Sequence, residues 1–411
     1  MMNARERFLK IAHYERDNDP FLFGFATWRE TLRRWKKEGM PVGASEKEVG
    51  EYLVGRQDQV EFIKPNAASL GMGEDGGPPW GPALDPFFDS VLIKDEGKTI
   101  IKIDRDGTTV RVRKDDPEFS MPQWLDFPVK DKTDWDGFKK RLEPYSKGRF
   151  PNGWDVMSDE TVGFTLREEQ KDRKFAERDF PLGMMCLSLY GNLRSYMGLE
   201  NLSYALFEDI KLVEEMMEWQ TYLSLEMLKQ VFNAGVTLDF AWIFEDMCFK
   251  NGPLVSPEFV KKHMAPRYRK VVDFLRSHSV DTIIMDCDGA IDQLLPIWLD
   301  CGINGTYPLE VASGMNALEL RKKYGKELVM FGNIDKRALA AGKNEIDKEL
   351  EKVKLLLKDS GYFPGCDHHV PPDVPYENIV YFLNELRKLS DYEEAKRFIN
   401  LNNMPDIYFM G

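Results

Sequence analysis

Residues 281–310 read DTIIMDCDGAIDQLLPIWLDCGINGTYPLE. The apolar run Thr282–Met285 ends abruptly in Asp286-Cys287-Asp288-Gly289. Isoleucines running into a glycine turn predict a buried parallel strand. A helical stretch follows over 290–300. A second short strand, over 303–309, then ends in Tyr307-Pro308-Leu309-Glu310. Carboxylates at the C-terminal ends of two successive strands are costly to desolvate. In a β/α barrel that rim is where the chemistry sits.

The same rhythm extends outward from this stretch. Strands are predicted over 21–28, 184–190, 236–243, 327–331 and 361–364. Helices are predicted over 3–16, 29–39, 199–208, 211–234, 257–278, 315–324, 344–359 and 376–389. Gly39 closes the second helix at its C-terminus. Ser256 is the N-cap of the 257–278 helix, with Pro257 at its first position. Alternation of this kind predicts a parallel sheet, and so many units favour a (β/α)8 TIM barrel over an open sheet. The chain contains no GxGxxG or GxxxxGK[ST] motif, so nothing points to a nucleotide fold.

Residues 71–175 break the pattern. GMGEDGGPPWGPALDPFF is rich in glycine and proline. SVLIKDEGKTIIKIDRDGTTVRVRKD alternates apolar and polar residues, with turn signals at DEGK and DRDG. It predicts an antiparallel hairpin or three-strand meander. The polar stretch 150–174 reads as a surface excursion. The expected organisation is one barrel over 1–411, with 71–175 as a β-rich insertion within it.

With 411 residues and a net charge of −13, the chain is suited to neither a nucleic-acid nor an anionic-membrane partner. No apolar run approaches the roughly 20 residues of a membrane helix. The first residues, MMNARERFLKIAHYERDN, lack the apolar core of a secretory signal. Five dispersed cysteines fit reduced thiols in a cytoplasm. The composition leaves room for a homodimer.

Several predicted strand ends carry polar groups: Glu245-Asp246, Asp286 and Asp288, Glu310, Asn333 and Asp335, and Cys366-Asp367-His368-His369. If strand geometry persists, Asp286 and Asp288 share a face while Cys287 points away, and Cys366 and His368 share a face that His369 does not. Carboxylates with His and Cys can bind Zn²⁺, and an open coordination position makes such a site catalytic. The plain alternative is helix capping and rim ion pairs, with Asp286 capping the helix near residue 290. Arg29, Arg33 and Arg34, just after the first strand, read as a solvated basic face or as an anion clamp.

FGNID (331–335) followed by GYFPGCDHHVPPDVPYENI (361–379) resembles the closing segments of the uroporphyrinogen decarboxylase superfamily. DCDG with YPLE, EDMCFKNGPLVSPEF (245–259) and RERFLKIAHYERDNDPF (5–21) fit as well. The resemblance implies a TIM barrel with its site at the C-terminal rim. It also implies one of two chemistries: cofactor-free decarboxylation of uroporphyrinogen, or zinc-dependent methyl transfer involving a corrinoid on a partner protein. The decarboxylases carry an RQAGRY-like motif for the porphyrinogen carboxylates. Here the corresponding place reads ATWRETLRRW, which retains the positive charge of Arg29 and Arg34 without the motif. His368 falls on the decarboxylase histidine. The methyltransferases carry His-x-Cys-Gly where this chain has Asp286-Cys287-Asp288-Gly289. Their third ligand, a cysteine, maps to Cys366 or, without a gap, to His368.

The expected activity is therefore methyl transfer from a small O- or N-methylated compound, such as an aryl methyl ether, to the cobalt of a partner corrinoid protein. The resemblance implies Zn²⁺ held by Asp288, Glu310 and His368, with Cys366 or Asp286 as alternates. Glu245, Asp246 and His368 are the expected catalytic groups. Arg29, Arg34 and Asp286 are the expected substrate-binding groups. No DxHxxG motif is present, so the corrinoid is expected on a partner. The alternative is uroporphyrinogen-type decarboxylation.

Overall fold

The computed structural model describes residues 2–15, 21, 27–40, 61–63, 84–115, 121–146, 149, 178 and 180–389. The fold is α/β, with parallel strands alternating with helices. It resolves into two compact units, Val60–Tyr307 and Met1–Gln59 with Pro308–Gly411.

The unit Val60–Tyr307 begins with β1 (Glu61–Ile63) and four antiparallel strands, β2 (Val91–Asp95), β3 (Thr99–Ile103), β4 (Thr109–Arg113) and β5 (Gln123–Asp126). β6 (Leu182–Leu187) and β7 (Phe240–Phe244) follow, then a short hairpin of β8 (Cys248–Phe249) and β9 (Gly252–Pro253), then β10 (Thr282–Asp286) and β11 (Gly305–Tyr307). β1, β6, β7, β10 and β11 pair in parallel, in that order. Every residue of TIIMD in β10 is buried, as the unbroken apolar run requires of a strand covered on both faces.

The meander is present and has a fourth strand, β5, that the turn signals did not mark. Its turns close as the sequence indicates. Gly97 and Gly107 take positive φ (85° and 86°), and Asp95 and Asp106 accept the backbone N–H groups of Gly97 and Thr108. The stretches 71–83 and 150–174 lie outside the described residues. Ser256 caps the helix starting at Pro257, accepting the Phe259 N–H at 3.1 Å. The helix expected over 290–300 is shorter, Leu295–Asp300, and Asp286 does not cap it.

The unit Met1–Gln59 with Pro308–Gly411 holds the parallel pair β12 (Val329–Ile334) and β13 (Tyr362–Cys366). Its helices include Ala4–Ala12, with an Asn3/Glu6 capping box, Arg29–Lys37, Ala317–Tyr324, Lys343–Leu357 and Tyr376–Lys388. A short helix, Lys336–Ala341, was not expected from the sequence. Of the predicted strand 21–28, Phe21, Thr27 and Trp28 are described, and Thr27 forms a parallel bridge to Val370. Phe8, Phe21, Phe331 and Phe363 pack as an aromatic core, with Phe331 stacked on Phe363 at 4.4 Å.

The FGNID segment has a backbone reason for its glycine and its asparagine. Gly332 and Asn333 both take positive φ, 93° and 61°. A Cβ on Gly332 would lie 2.2 Å from the Pro308 carbonyl oxygen. Asn333 donates from its side chain to the Leu309 and Met315 carbonyls and accepts the Ala317 N–H. It thereby ties the end of β12 to the 308–317 loop. Gly332→Ala must therefore strain the backbone and displace Pro308. It is expected to lower the unfolding free energy by about 2 kcal/mol or more, read as a shifted urea midpoint at unchanged m-value.

Candidate active site

In the unit Val60–Tyr307, the sequence that builds the rim is FAWIFED at the end of β7 and TIIMDCDG at the end of β10. Register places Asp286 beside Phe244 on one side and Tyr307 on the other. Asp286 is buried, and its Oδ2 accepts the Trp242 indole N–H at 2.9 Å. The Trp242 ring packs against Tyr307 at 5.2 Å. Burial holds the Asp286 carboxyl well above the usual range. The nearby Asp288 and Asp246 charges push the same way, and the Trp242 hydrogen bond opposes them.

Asp288 and Asp246 are half-buried. Arg194 holds Asp246, donating from Nη2 to Oδ2 and from Nη1 to the backbone carbonyl at 3.0 Å. β10 ends at Asp286, and Gly289 turns the chain at φ 85°. Strand alternation therefore does not run through Cys287 and Asp288, and the expected shared face of Asp286 and Asp288 has no strand to rest on. Cys287 is still turned inward. Its Sγ accepts the Met247 N–H at 3.3 Å and donates to the Asp288 carbonyl at 3.4 Å.

Glu245 has a different position from the one its sequence context suggested. It is fully buried, and its carboxylate accepts the N–H groups of Leu189, Tyr190 and Gly191 at 2.9, 2.7 and 3.1 Å. Tyr268 donates its hydroxyl to the same carboxylate at 2.8 Å. Glu245 is thus the cap of the helix Tyr190–Met197, whose N-cap residue Leu189 supplies no side-chain bond. Gly191 permits the approach, since a Cβ there would meet the Glu245 carbonyl oxygen at 2.9 Å. Burial pushes the Glu245 carboxyl up to about 7 against these four donated bonds. Both oxygens are committed, so Glu245 is a positioning group.

The other candidates belong to the second unit. Glu310 is half-buried and accepts from Lys336 Nζ at 3.1 Å and Ser313 Oγ at 3.3 Å. Asp367 is fully buried and accepts the backbone N–H groups of Val311 and Lys336 at 3.0 and 3.1 Å. Lys336 Nζ lies 3.6 Å from Asp367 Oδ1. Cys366 is fully buried, with its thiol directed at Asp367 Oδ1 at 3.9 Å, and burial pushes that thiol far up.

β13 ends at Cys366, so strand alternation does not extend to His368 and His369. Both rings lie near Trp28, at 5.9 and 5.0 Å, and 5.1 Å from each other. His369 is buried, which pushes its pKa down to about 3, helped by the His368 and Lys336 charges. His368 is half-buried. Arg29 opens the helix Arg29–Lys37 and is half-buried. Arg34 is bound to Glu38 at 2.6 Å and donates to the Pro372 carbonyl at 2.8 Å.

The donor set expected for zinc does not fit a metal as it stands. Among the described residues no three His, Cys, Asp or Glu side chains are grouped to hold an ion. Glu310 is engaged by an ammonium, and the Cys366 thiol is turned to Asp367 Oδ1. Trp242, Tyr268, Lys336 and Asp367 were not singled out in the sequence. Only Asp367, inside CDHH, carried a signal.

The family profile described as uroporphyrinogen decarboxylase matches residues 173–389, more than half of the 411-residue chain. The chain belongs to the uroporphyrinogen decarboxylase family. This is an enzyme family, and the matched segment runs through β6, β7, β10, β11, β12 and β13 and so contains Glu245, Asp286, Glu310 and His368. Uroporphyrinogen decarboxylase from Campylobacter concisus is 22% identical over 189 residues, 45% of this chain and 51% of that protein. The enzyme from Helicobacter acinonychis is 26% identical over 174 residues, 42% of this chain and 45% of that one. The chain thus spans about half the length of the curated relatives it matches. Among solved structures, a methyltransferase from Methanosarcina mazei superimposes with a TM-score of 0.51 at 12% identity, covering 94% of this chain and 99% of that one. The family likeness supports the α/β reading throughout. No helix among the described residues is long and apolar enough to cross a membrane.

Proposed function

We propose that this member of the uroporphyrinogen decarboxylase family is a methyltransferase. In this reading it takes a methyl group from a small O- or N-methylated compound, such as an aryl methyl ether, and passes it to the cobalt of a corrinoid on a separate protein. The observation that carries the reading is the distribution of charge. Arg34, one of the arginines placed to clamp porphyrinogen carboxylates, is bound to Glu38 and the Pro372 carbonyl. The rim of β7 and β10 presents Asp246 and Asp288 beside the buried acid Asp286. Such a rim repels a polycarboxylate and accepts a neutral or cationic substrate. The structural likeness to a methyltransferase over nearly the whole chain agrees with this choice. All five cysteines are free and buried, which fits the reducing cytoplasm this reading requires.

The corrinoid of the partner would supply the nucleophile. This chain's residues would bind and orient the methyl donor. Asp246, fixed by Arg194, and Asp288 would face the donor. Trp242 and Tyr307 would form the wall behind Asp286. Because the expected zinc ligands do not fit a metal here, the reading has no metal-dependent step.

The test supplies reduced cobalamin under anoxic conditions with a panel of methoxybenzoates and methylamines, and follows release of the demethylated product. Turnover is expected with one class of donor. Asp288→Asn is expected to lower kcat/KM by about 100-fold or more. Conversion of uroporphyrinogen to coproporphyrinogen, with no demethylation of any donor, would overturn the reading in favour of decarboxylation.

A further inference from the structure

We infer that the rim of β7, β10 and β11 takes a quaternary ammonium cation, its charge set against the strand-end acids and its methyl groups against an aromatic wall. That this cation is the methyl donor rests on the methyl-transfer reading; that the rim binds it does not.

Register fixes the wall. Phe244, Asp286 and Tyr307 are partners across β7, β10 and β11, so they stand on one face of the sheet. Trp242, two residues before Phe244, stands on the same face. Its bond to Asp286 and its ring contact with Tyr307 at 5.2 Å agree. Trp242 and Tyr307 are buried, whereas Phe244, at the end of β7, is half-buried, so the wall is reached from the rim.

The acids lie against that wall. Asp286 is 4% exposed, and Trp242 bonds its Oδ2. Among the described residues nothing is hydrogen-bonded to its other oxygen. The charges that bear on Asp286 are those of Asp288 and Asp246, so the local potential is negative and a cation there is stabilised. A quaternary ammonium spreads its charge over methyl groups and donates no hydrogen bond. It is recognised by ring faces rather than by a shell of oxygens. The rim offers three rings, while Glu245 has both oxygens committed and Asp246 is held by Arg194. On methyl transfer the electron pair of Co(I) in the partner corrinoid forms the bond to the methyl carbon, and the carbon–nitrogen pair stays on nitrogen. The product is a neutral tertiary amine, so the charge that held the donor is gone and the product is released.

Choline and its neutral isostere with carbon in place of nitrogen are titrated calorimetrically into wild type, Asp288→Asn and Phe244→Leu, with folding checked by circular dichroism. Choline is expected to bind wild type about tenfold more tightly than the isostere. The preference should shrink in Asp288→Asn, which removes a charge, and in Phe244→Leu, which removes a ring but stays apolar. Equal affinity of wild type for the two probes, or no binding of either, overturns the inference. Should neither variant fold, wild type decides alone. Anoxic incubation with reduced cobalamin separates the two claims. Demethylation of a methoxyarene but not of choline overturns the inference and keeps the methyl-transfer reading. A choline preference with no demethylation of any donor supports the binding site and overturns that reading.

Discussion

Glu245→Ala is expected to lower the unfolding free energy by about 4 kcal/mol, near the upper end for a single substitution. The carboxylate receives three backbone N–H groups and the Tyr268 hydroxyl in a fully buried site. Alanine leaves these donors without an acceptor where water cannot reach, at a cost of about 1–3 kcal/mol for each buried group not re-satisfied. It also removes the acceptor at the N-terminus of the helix Tyr190–Met197, whose own N-cap residue offers nothing. Chemical denaturation of the variant against wild type measures the loss. A loss below 1 kcal/mol would show that the helix start relaxes to find other acceptors.

The same residue gives a pH signature. Burial raises the Glu245 carboxyl from 4.5 to about 7. The folded state therefore holds a proton that the unfolded state has already released, and the unfolded state binds fewer protons between those two values. Stability contributed by this group is present below pH 4.5 and falls as pH rises from about 4.5 through about 7. A rise of this size corresponds to roughly 3 kcal/mol across that window. In Glu245→Gln, which cannot ionise, that part of the slope is expected to vanish. Parallel slopes for wild type and Glu245→Gln would show that the four donated bonds, not burial, control this carboxyl.

Asp239→Ala is expected to destabilise by about 3–5 kcal/mol, because it removes the carboxylate paired with a buried guanidinium. Arg178 Nη2 donates to Asp239 Oδ2 at 2.5 Å, and the two side chains are only 4% and 2% exposed. The same oxygen accepts the Leu182 N–H at 2.9 Å, and Arg178 Nη1 donates to Thr237 Oγ1 at 2.9 Å. The pair thus ties the start of β6 to the turn entering β7. Asp239→Asn keeps an acceptor and should cost less. The double variant Arg178→Met/Asp239→Leu removes both charges and is expected to recover most of the loss, since replacing a buried pair by apolar groups is often neutral. Thermal and urea unfolding of the three proteins checks the order. A double variant as unstable as Asp239→Ala would mean that the Leu182 and Thr237 bonds, rather than the broken charge pair, set the cost.

By itself the sequence determined the alternation. TIIMD, FAWIF and VMFGNI are apolar runs whose only low-energy home is a strand buried on both faces, and the intervening amphipathic stretches have only one apolar side to cover them. The antiparallel meander was equally legible, because period two and the glycine turns are local properties. The position of charge at strand ends was legible too, as a list of residues.

Tertiary structure alone decided what each charge does. Glu245 and Asp246 are neighbours in sequence, yet one caps a helix that begins 55 residues earlier and the other is held half-buried by Arg194. The alternation rule does not reach Asp288 and His369, because β10 stops at Asp286 and β13 at Cys366, after which loop contacts, not the pleat, aim the side chains. Asp367 and Lys336 were invisible as a pair, since their meeting depends on two backbone N–H groups brought together by the fold. In the opening stretch, DCDG is a strand end in the sequence. Only the packed neighbours Trp242, Met247 and Tyr307 make Asp286 a buried acid and Cys287 a structural thiol. Hydrophobic periodicity is encoded residue by residue, whereas the partner of a buried polar group is chosen by whichever donor the completed fold brings within reach.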